Sequence, residues 1–174
     1  RDELGAKKAW TGCLVNLVEK EAELISNMGY LVRYDNFLDV NYVADQRGKN
    51  TNSVMHAKGV LMDSATKVFR GTIDFKNGSS GSAGDEQEDT LMLSPDVINR
   101  SMPVILCQEE DVDGRHGATI GQLGEDLLFY MQTRGIDEEN AKRMMIRARL
   151  DSVARTIPDK ELEQRVVFYI QNII

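Results

Sequence analysis

The sequence predicts a mainly β domain followed by C-terminal helices, and two observations carry that prediction. From Trp10 to Cys107, short apolar runs alternate with polar punctuation, which is the strand-and-turn cadence of an all-β sandwich, barrel or solenoid. From Gly124 onward the apolar residues fall at helical spacing instead. The grammar changes inside Pro103–Gly135, where Val104–Cys107 has strand character, His116–Gly121 reads as a tight Gly/Thr/Ala corner, and Leu127–Met131 opens a helical pattern. The expected division is a β core over residues 1–123 and a helical subdomain over residues 124–174.

Taken in order, the apolar runs are Trp10–Val18, Ala22–Ile25, Tyr30–Tyr34, Phe37–Val43, Val54–Met62, Val68–Phe75, Leu91–Leu93 and Val104–Cys107. They recur about every ten residues, with glycines near their edges. Leu14, Leu17, Val18 and Glu21 also sit at helical offsets, so helix competes with strand over Cys13–Ser26. Lys76–Glu88, KNGSSGSAGDEQE, reads as a flexible surface loop, because ordering so many Gly and Ser residues costs entropy that few apolar side chains offset. No Asn-Gly or Asp-Gly hairpin joins consecutive runs, and periodicity leaves sandwich and solenoid open.

The helical part is punctuated by its caps. Glu125 and Asp126 complement the dipole of a first helix that Gly135 stops. Asp137 caps a second helix reaching about Ile157, with Ala141, Met144, Met145, Ala148 and Val153 as its buried stripe. Pro158-Asp159 breaks it, and a last helix from Lys160 puts Leu162, Val166, Tyr169, Ile170 and Ile173 on one face. These helices are expected to cover the open end of the β core, whose edge strands would otherwise be unpaired.

Composition narrows the function. The chain has 174 residues, 21 Lys and Arg against 28 Asp and Glu, and a formal net charge of -7. Its cations are scattered among acids, which argues against a nucleic-acid binder. No apolar run approaches membrane-spanning length and no signal peptide opens the chain, so no membrane partner and a cytoplasmic location are expected. The chain opens on Arg1 rather than Met, which leaves room for an upstream segment. Gly48-Lys49-Asn50-Thr51 fails as a P-loop because Val43 stands where a glycine is needed, so nucleotide hydrolysis is not expected here.

Few residues could carry chemistry. Cys13 and Cys107 form no C-x-x-C, and with His56 and His116 they give four widely separated ligand candidates, too few and too dispersed for a stand-alone iron-sulfur protein. Cys107, beside Leu106, reads as a core thiol. Glu109–Gly114 matches the start of a calcium loop, but Ile120 stands where the bidentate Glu belongs, and a solvated acidic turn is the expectation. Arg115 beside His116 would favour a neutral imidazole able to ligate a metal, against the plainer reading of a hydrogen-bonded corner residue.

The run H-G-A-T-I-G at His116–Gly121, followed by L-F-Y-x-x-x-R-G-I at Leu128–Ile136, resembles the core domain of the SufB/SufD scaffold proteins of iron-sulfur cluster assembly. Gly48–Thr51 with Ser53, Lys58-Gly59 and Phe69-Arg70-Gly71 resemble coil motifs of that family, and the resemblance runs from about Asp45 to the C-terminus. It implies a right-handed parallel β-helix, a solenoid whose coils each bury an apolar run against their neighbours. The chain resembles the SufD branch in a short form: Gly117 follows the histidine where SufB-type members have Glu, and Glu88 stands where they have a cysteine. Some SufD proteins carry a cysteine at the position of Gly114.

The resemblance implies His116 as a metal-site candidate, with Cys107 and Glu88 as weaker ones, no catalytic residue, and no cluster held stably by the isolated chain, though one could pass through a complex transiently. It further implies two partners: a SufC-like ABC ATPase seated on Phe129, Tyr130, Arg134, Gly135 and Ile136, and a SufB-like or identical β-helix paired through strand edges. The rival readings are a β-helix enzyme acting on carbohydrate through Glu109–Asp113 and Arg115, and a structural interaction module without metal.

Overall fold

The structure is a computed structural model that describes residues 6–174 and the backbone of residues 2–4; Arg1 and Gly5 lie outside the described residues. Among the described residues, nine strands precede three helices. β1 (Asp2–Leu4), β3 (Glu23–Val32), β5 (Asn52–Leu61), β7 (Ser82–Met92) and β9 (Val112–Gln122) form one parallel sheet. β2 (Lys8–Leu17), β4 (Phe37–Gln46), β6 (Thr66–Phe75) and β8 (Ile98–Cys107) form the other. Consecutive strands therefore belong to opposite sheets, and each returns to its own sheet one coil later. That is the parallel β-solenoid the family resemblance implied. Register partners lie from 27 residues apart, as for Asp2 and Gly29, to 32 apart, as for Thr66 and Ile98.

The two-residue alternation of a strand decides what enters the lumen between the sheets. Along β4 and β6 the inward positions are Leu38, Val40, Tyr42 and Ala44, then Lys67, Phe69, Gly71, Ile73 and Phe75. Met28, Tyr30, Met55 and Ala57 face them from β3 and β5. Helix does not form over Cys13–Ser26: those residues complete β2 and begin β3, because pairing with β4 and β5 satisfies a backbone that helical spacing alone could not bury. Nor is 76–88 a loop throughout. Only the turn after β6 is irregular, and Ser82, Glu86, Glu88 and Thr90 are buried inward positions of β7.

α1 (Glu125–Thr133), α2 (Glu138–Ala154) and α3 (Lys160–Ile173) follow. Asp137 accepts a hydrogen bond from the Asn140 amide at 2.8 Å and Asp159 one from the Glu161 amide at 2.9 Å, so both helix starts are capped as their sequences require. The helices do not cover the end of the solenoid. They lie on the outer face of the odd-numbered sheet, where the register ladder Leu31, Val60, Leu91 makes an apolar ridge. Ile146, Leu150, Ala154 and Ile170 pack on that ridge. The stripe of α2 is accordingly rotated from the expected one: Ala141 and Val153 are buried, whereas Met144 and Ala148 face outward. Arg149 reaches back to pair with Asp89, and Arg33 donates to the Ile173 carbonyl, tying helices and sheet together.

Leaving the end uncovered has a consequence. No strand follows β8 and β9 in their sheets among the described residues, so the inward side chains of the last coil have a neighbour on one side only. Cys107, expected in the core, is exposed for this reason.

Candidate functional site

The lumen next to that open end is polar. Glu88 is buried, and its Oε1 accepts from Lys67 Nζ, from Thr90 Oγ1 at 3.1 Å and from Tyr30 Oη at 3.4 Å, while its Oε2 accepts from Ser101. Tyr30 and Thr90 hydroxyls lie 2.6 Å apart. Lys67 sits over the rings of Tyr30 and Phe69, with centroid distances of 5.4 and 5.5 Å. Burial pushes the Lys67 ammonium down to about 7. Burial likewise pushes the Tyr30 phenol up, offset in part by its bond with Thr90. One ion pair thus bridges the two sheets, and both oxygens of Glu88 are engaged.

Glu86, one inward position along β7, is different. It is 2% exposed, its Oε2 has no hydrogen-bond partner, and burial pushes its pKa up to about 7. Its carboxyl lies against Gly71 of the facing sheet, where a Cβ would come within 2.2 Å of the Glu86 Cδ. A glycine at position 71 is therefore what admits this side chain.

His116 is the register partner of Glu86 on β9, so the two share an inward column on adjacent rungs, about 4.8 Å apart along the sheet. The residue lies within a strand and not in a corner. Alternation puts Arg115 on the other face of the sheet, where its guanidinium pairs with Asp113, so it does not act directly on the imidazole. Cys107 is also inward on the last coil, as the partner of Phe75. Because Glu86 faces Gly71, the residue opposite His116 is the partner of Gly71, Pro103, and Cys107 lies four strand residues further on, about 13 Å away along the strands. The structure does not bring His116, Cys107 and Glu88 together, and no group of three or more His, Cys, Asp or Glu side chains fit to hold a metal ion occurs among the described residues.

The acidic run is a stacked turn. Glu109 accepts from the Gly78 amide at 3.1 Å and Asp111 from the Ser80 hydroxyl at 2.7 Å, both one coil below. Those bonds give the carboxylates a structural task, and they form no convergent acid pair.

On the helices, Phe129 and Tyr130 are 68% and 55% exposed, and Arg134 stacks over the Tyr130 ring at 5.1 Å. Leu128 is half-buried beside Leu123 and Lys142, and Met131 is buried, so the helix is held by neighbours of the two aromatic residues. Gly135, at φ +80°, turns the chain into Ile136 and α2. All five residues expected to meet a partner thus lie on α1 or in the turn that follows it.

Sequence reading missed Lys67 and Glu86. The signal was present for Lys67: positions 67, 69, 71, 73 and 75 read Lys, Phe, Gly, Ile, Phe, which puts the lysine on the apolar parity of its strand. Glu86 was lost in the low-complexity segment.

Residues 2–149 match the family model described as SUF system FeS cluster assembly, SufBD core domain. The chain is 30% identical over 124 residues to the iron-sulfur cluster assembly protein SufD of Bacillus subtilis (strain 168), covering 71% of this chain and 28% of that protein. It is 32% identical over 111 residues to an iron-sulfur cluster assembly SufBD family protein of Mycobacterium leprae (strain TN), covering 63% of this chain and 12% of that one. The chloroplastic SufBD family protein ABCI8 of Arabidopsis thaliana is 29% identical over 114 residues, or 66% and 20%. The chain spans less than a third of the length of these relatives. With a core-domain match across most of its length and the two-sheet solenoid that the motifs implied, the chain belongs to the SufB/SufD family of iron-sulfur cluster assembly proteins.

Proposed function

We propose that this chain is a non-catalytic, cytoplasmic component of a Suf-type assembly complex, in which a SufC-like ABC ATPase docks on the helical subdomain and a SufB-like or identical solenoid meets the open end. The observation that carries the reading is the open last coil, whose strand edges and inward side chains await a continuation of the sheet, in a chain of this family. The iron-sulfur cluster is cargo of the complex. His116 is the ligand candidate best placed for it, because its rung is the one a second solenoid would cover. Cys107 lies on the same coil and is the weaker candidate, and Glu88 is weaker still because Lys67 and Ser101 already occupy its oxygens.

His116→Ala should leave folding nearly intact, since an exposed side chain on the last coil contributes few packing contacts. Cluster content of the reconstituted complex should nonetheless fall, while the isolated chain stays colourless with either residue. Anaerobic reconstitution followed by absorption spectra measures both quantities. Loss of soluble protein in step with loss of cluster would make His116 a structural residue.

For the ATPase, Tyr130 and Arg134 are the expected anchors, because aromatic and Arg side chains dominate binding hot spots. Replacing both with Ala should weaken binding by about 2 kcal/mol or more and leave the thermal midpoint nearly unchanged. Calorimetric titration decides it, and unchanged affinity would remove α1 from the interface.

A further inference from the structure

The α1 surface continues into a groove. Gly135 and Ile136, the last residues of that surface, also line a hollow of about 420 Å³ between α2 and α3, with Arg143, Met144 and Arg147 along its wall. Arg147 is shared with a second hollow of about 520 Å³ that extends past Phe168 to Arg155 and Lys160. Both lie on the flank of α2 next to Ile146, Leu150 and Ala154, which face the sheet. Met144 and Phe168 are 52% and 68% exposed.

The charge along this groove is inverted relative to the rest of the chain. Its lining carries four cations, Arg143, Arg147, Arg155 and Lys160, against two carboxylates, Asp151 and Glu163, in a chain with 21 basic and 28 acidic residues. Arg143 pairs with Glu139, Arg147 with Asp151 and Lys160 with Glu163, each within one turn of helix. Arg143 and Glu139 are both exposed, and such a pair contributes little, so an incoming carboxylate can redirect Arg143 without a large loss. Asp151 and Glu163 are largely covered, so Arg147 keeps its Nε on Asp151 and offers its remaining exposed N–H donors to the incoming group.

We propose that the groove seats an acidic, amphipathic segment of the ATPase, with carboxylates on Arg143 and Arg147 and an apolar side chain against Met144 and Phe168. This rests on the docking reading above and extends the interface from α1 around the Gly135 turn. Its specific consequence is a salt-dependent affinity that the α1 aromatic residues do not supply.

The test is calorimetric titration of the full chain with a purified SufC-like ATPase at low and high salt. Arg143→Glu with Arg147→Glu should weaken binding about tenfold or more at low salt and flatten the salt dependence. Arg143→Gln with Arg147→Gln, which places no carboxylate beside Glu139, should show a smaller loss of the same sign. The Tyr130→Ala chain should bind more weakly yet keep its salt dependence. If the wild-type chain binds and both groove variants match it with unchanged midpoints, the groove inference is overturned and the docking reading stands. If the wild-type chain does not bind at all, both fall.

Discussion

Lys67→Met should destabilise the isolated chain by about 3–5 kcal/mol, because it strands a buried carboxylate with no cation to compensate it. Lys67 and Glu88 side chains are 0% and 2% exposed, so water cannot take the place of the lost partner. Glu88→Gln alone should also be costly, since it leaves the ammonium without its counter-charge. The double variant Lys67→Met, Glu88→Gln should recover much of the loss: neither charge remains, Met fills the volume under the Tyr30 and Phe69 rings, and the Gln amide oxygen can still accept from Ser101 or Tyr30. Urea unfolding of the four proteins measures this as a double-mutant cycle. Additive losses in the double variant would show that the two side chains act independently.

The pair also marks the limit of what could be read from the sequence. The strand cadence, the switch to helix at Gly124 and the cap at Asp137 are local signals, set by side chains within a few positions of one another, and the structure contains all of them. The solenoid itself rests on pairing between residues 27 to 32 apart, which no local pattern reports, and only the family motifs imply it. The same separation hid the site. Lys67 and Glu88 meet only because β6 and β7 face each other across the lumen, and Glu86 and His116 share a column only because β9 returns one coil after β7. Small and polar residues in 76–88 imitate a disordered loop, although their alternation is that of a strand lining a polar interior. The helix faces were misassigned by a rotation, because the sequence does not say which stripe of α2 meets the Leu31, Val60, Leu91 ridge.

Glu86 should make stability fall as the pH rises through neutrality, against the trend expected from ion-paired carboxylates such as Asp45 and Asp113. Burial holds its folded pKa at about 7, compared with an ordinary 4.5. Between those values the unfolded chain has released this proton and the folded chain retains it, so unfolding liberates a proton and alkali favours unfolding. The stability tied to this protonation is intact below about 4.5, declines across the interval and is lost above about 7, a total of roughly 3 kcal/mol. Asp45 and Asp113, lowered by their hydrogen bonds to Arg47 and Arg115, contribute with the opposite sign, but equally in wild type and in Glu86→Gln. The difference between those two proteins isolates Glu86: unfolding at pH 5 and pH 8 should show the variant gaining about 2.5 kcal/mol on the wild type over that range. A gap that does not change with pH would mean that the carboxyl is not held as a neutral acid in the lumen. Should the dependence appear, the rung beneath His116 carries a proton below about pH 7, and there a solenoid closing over the last coil would bury an uncharged neighbour beside that histidine instead of an anion.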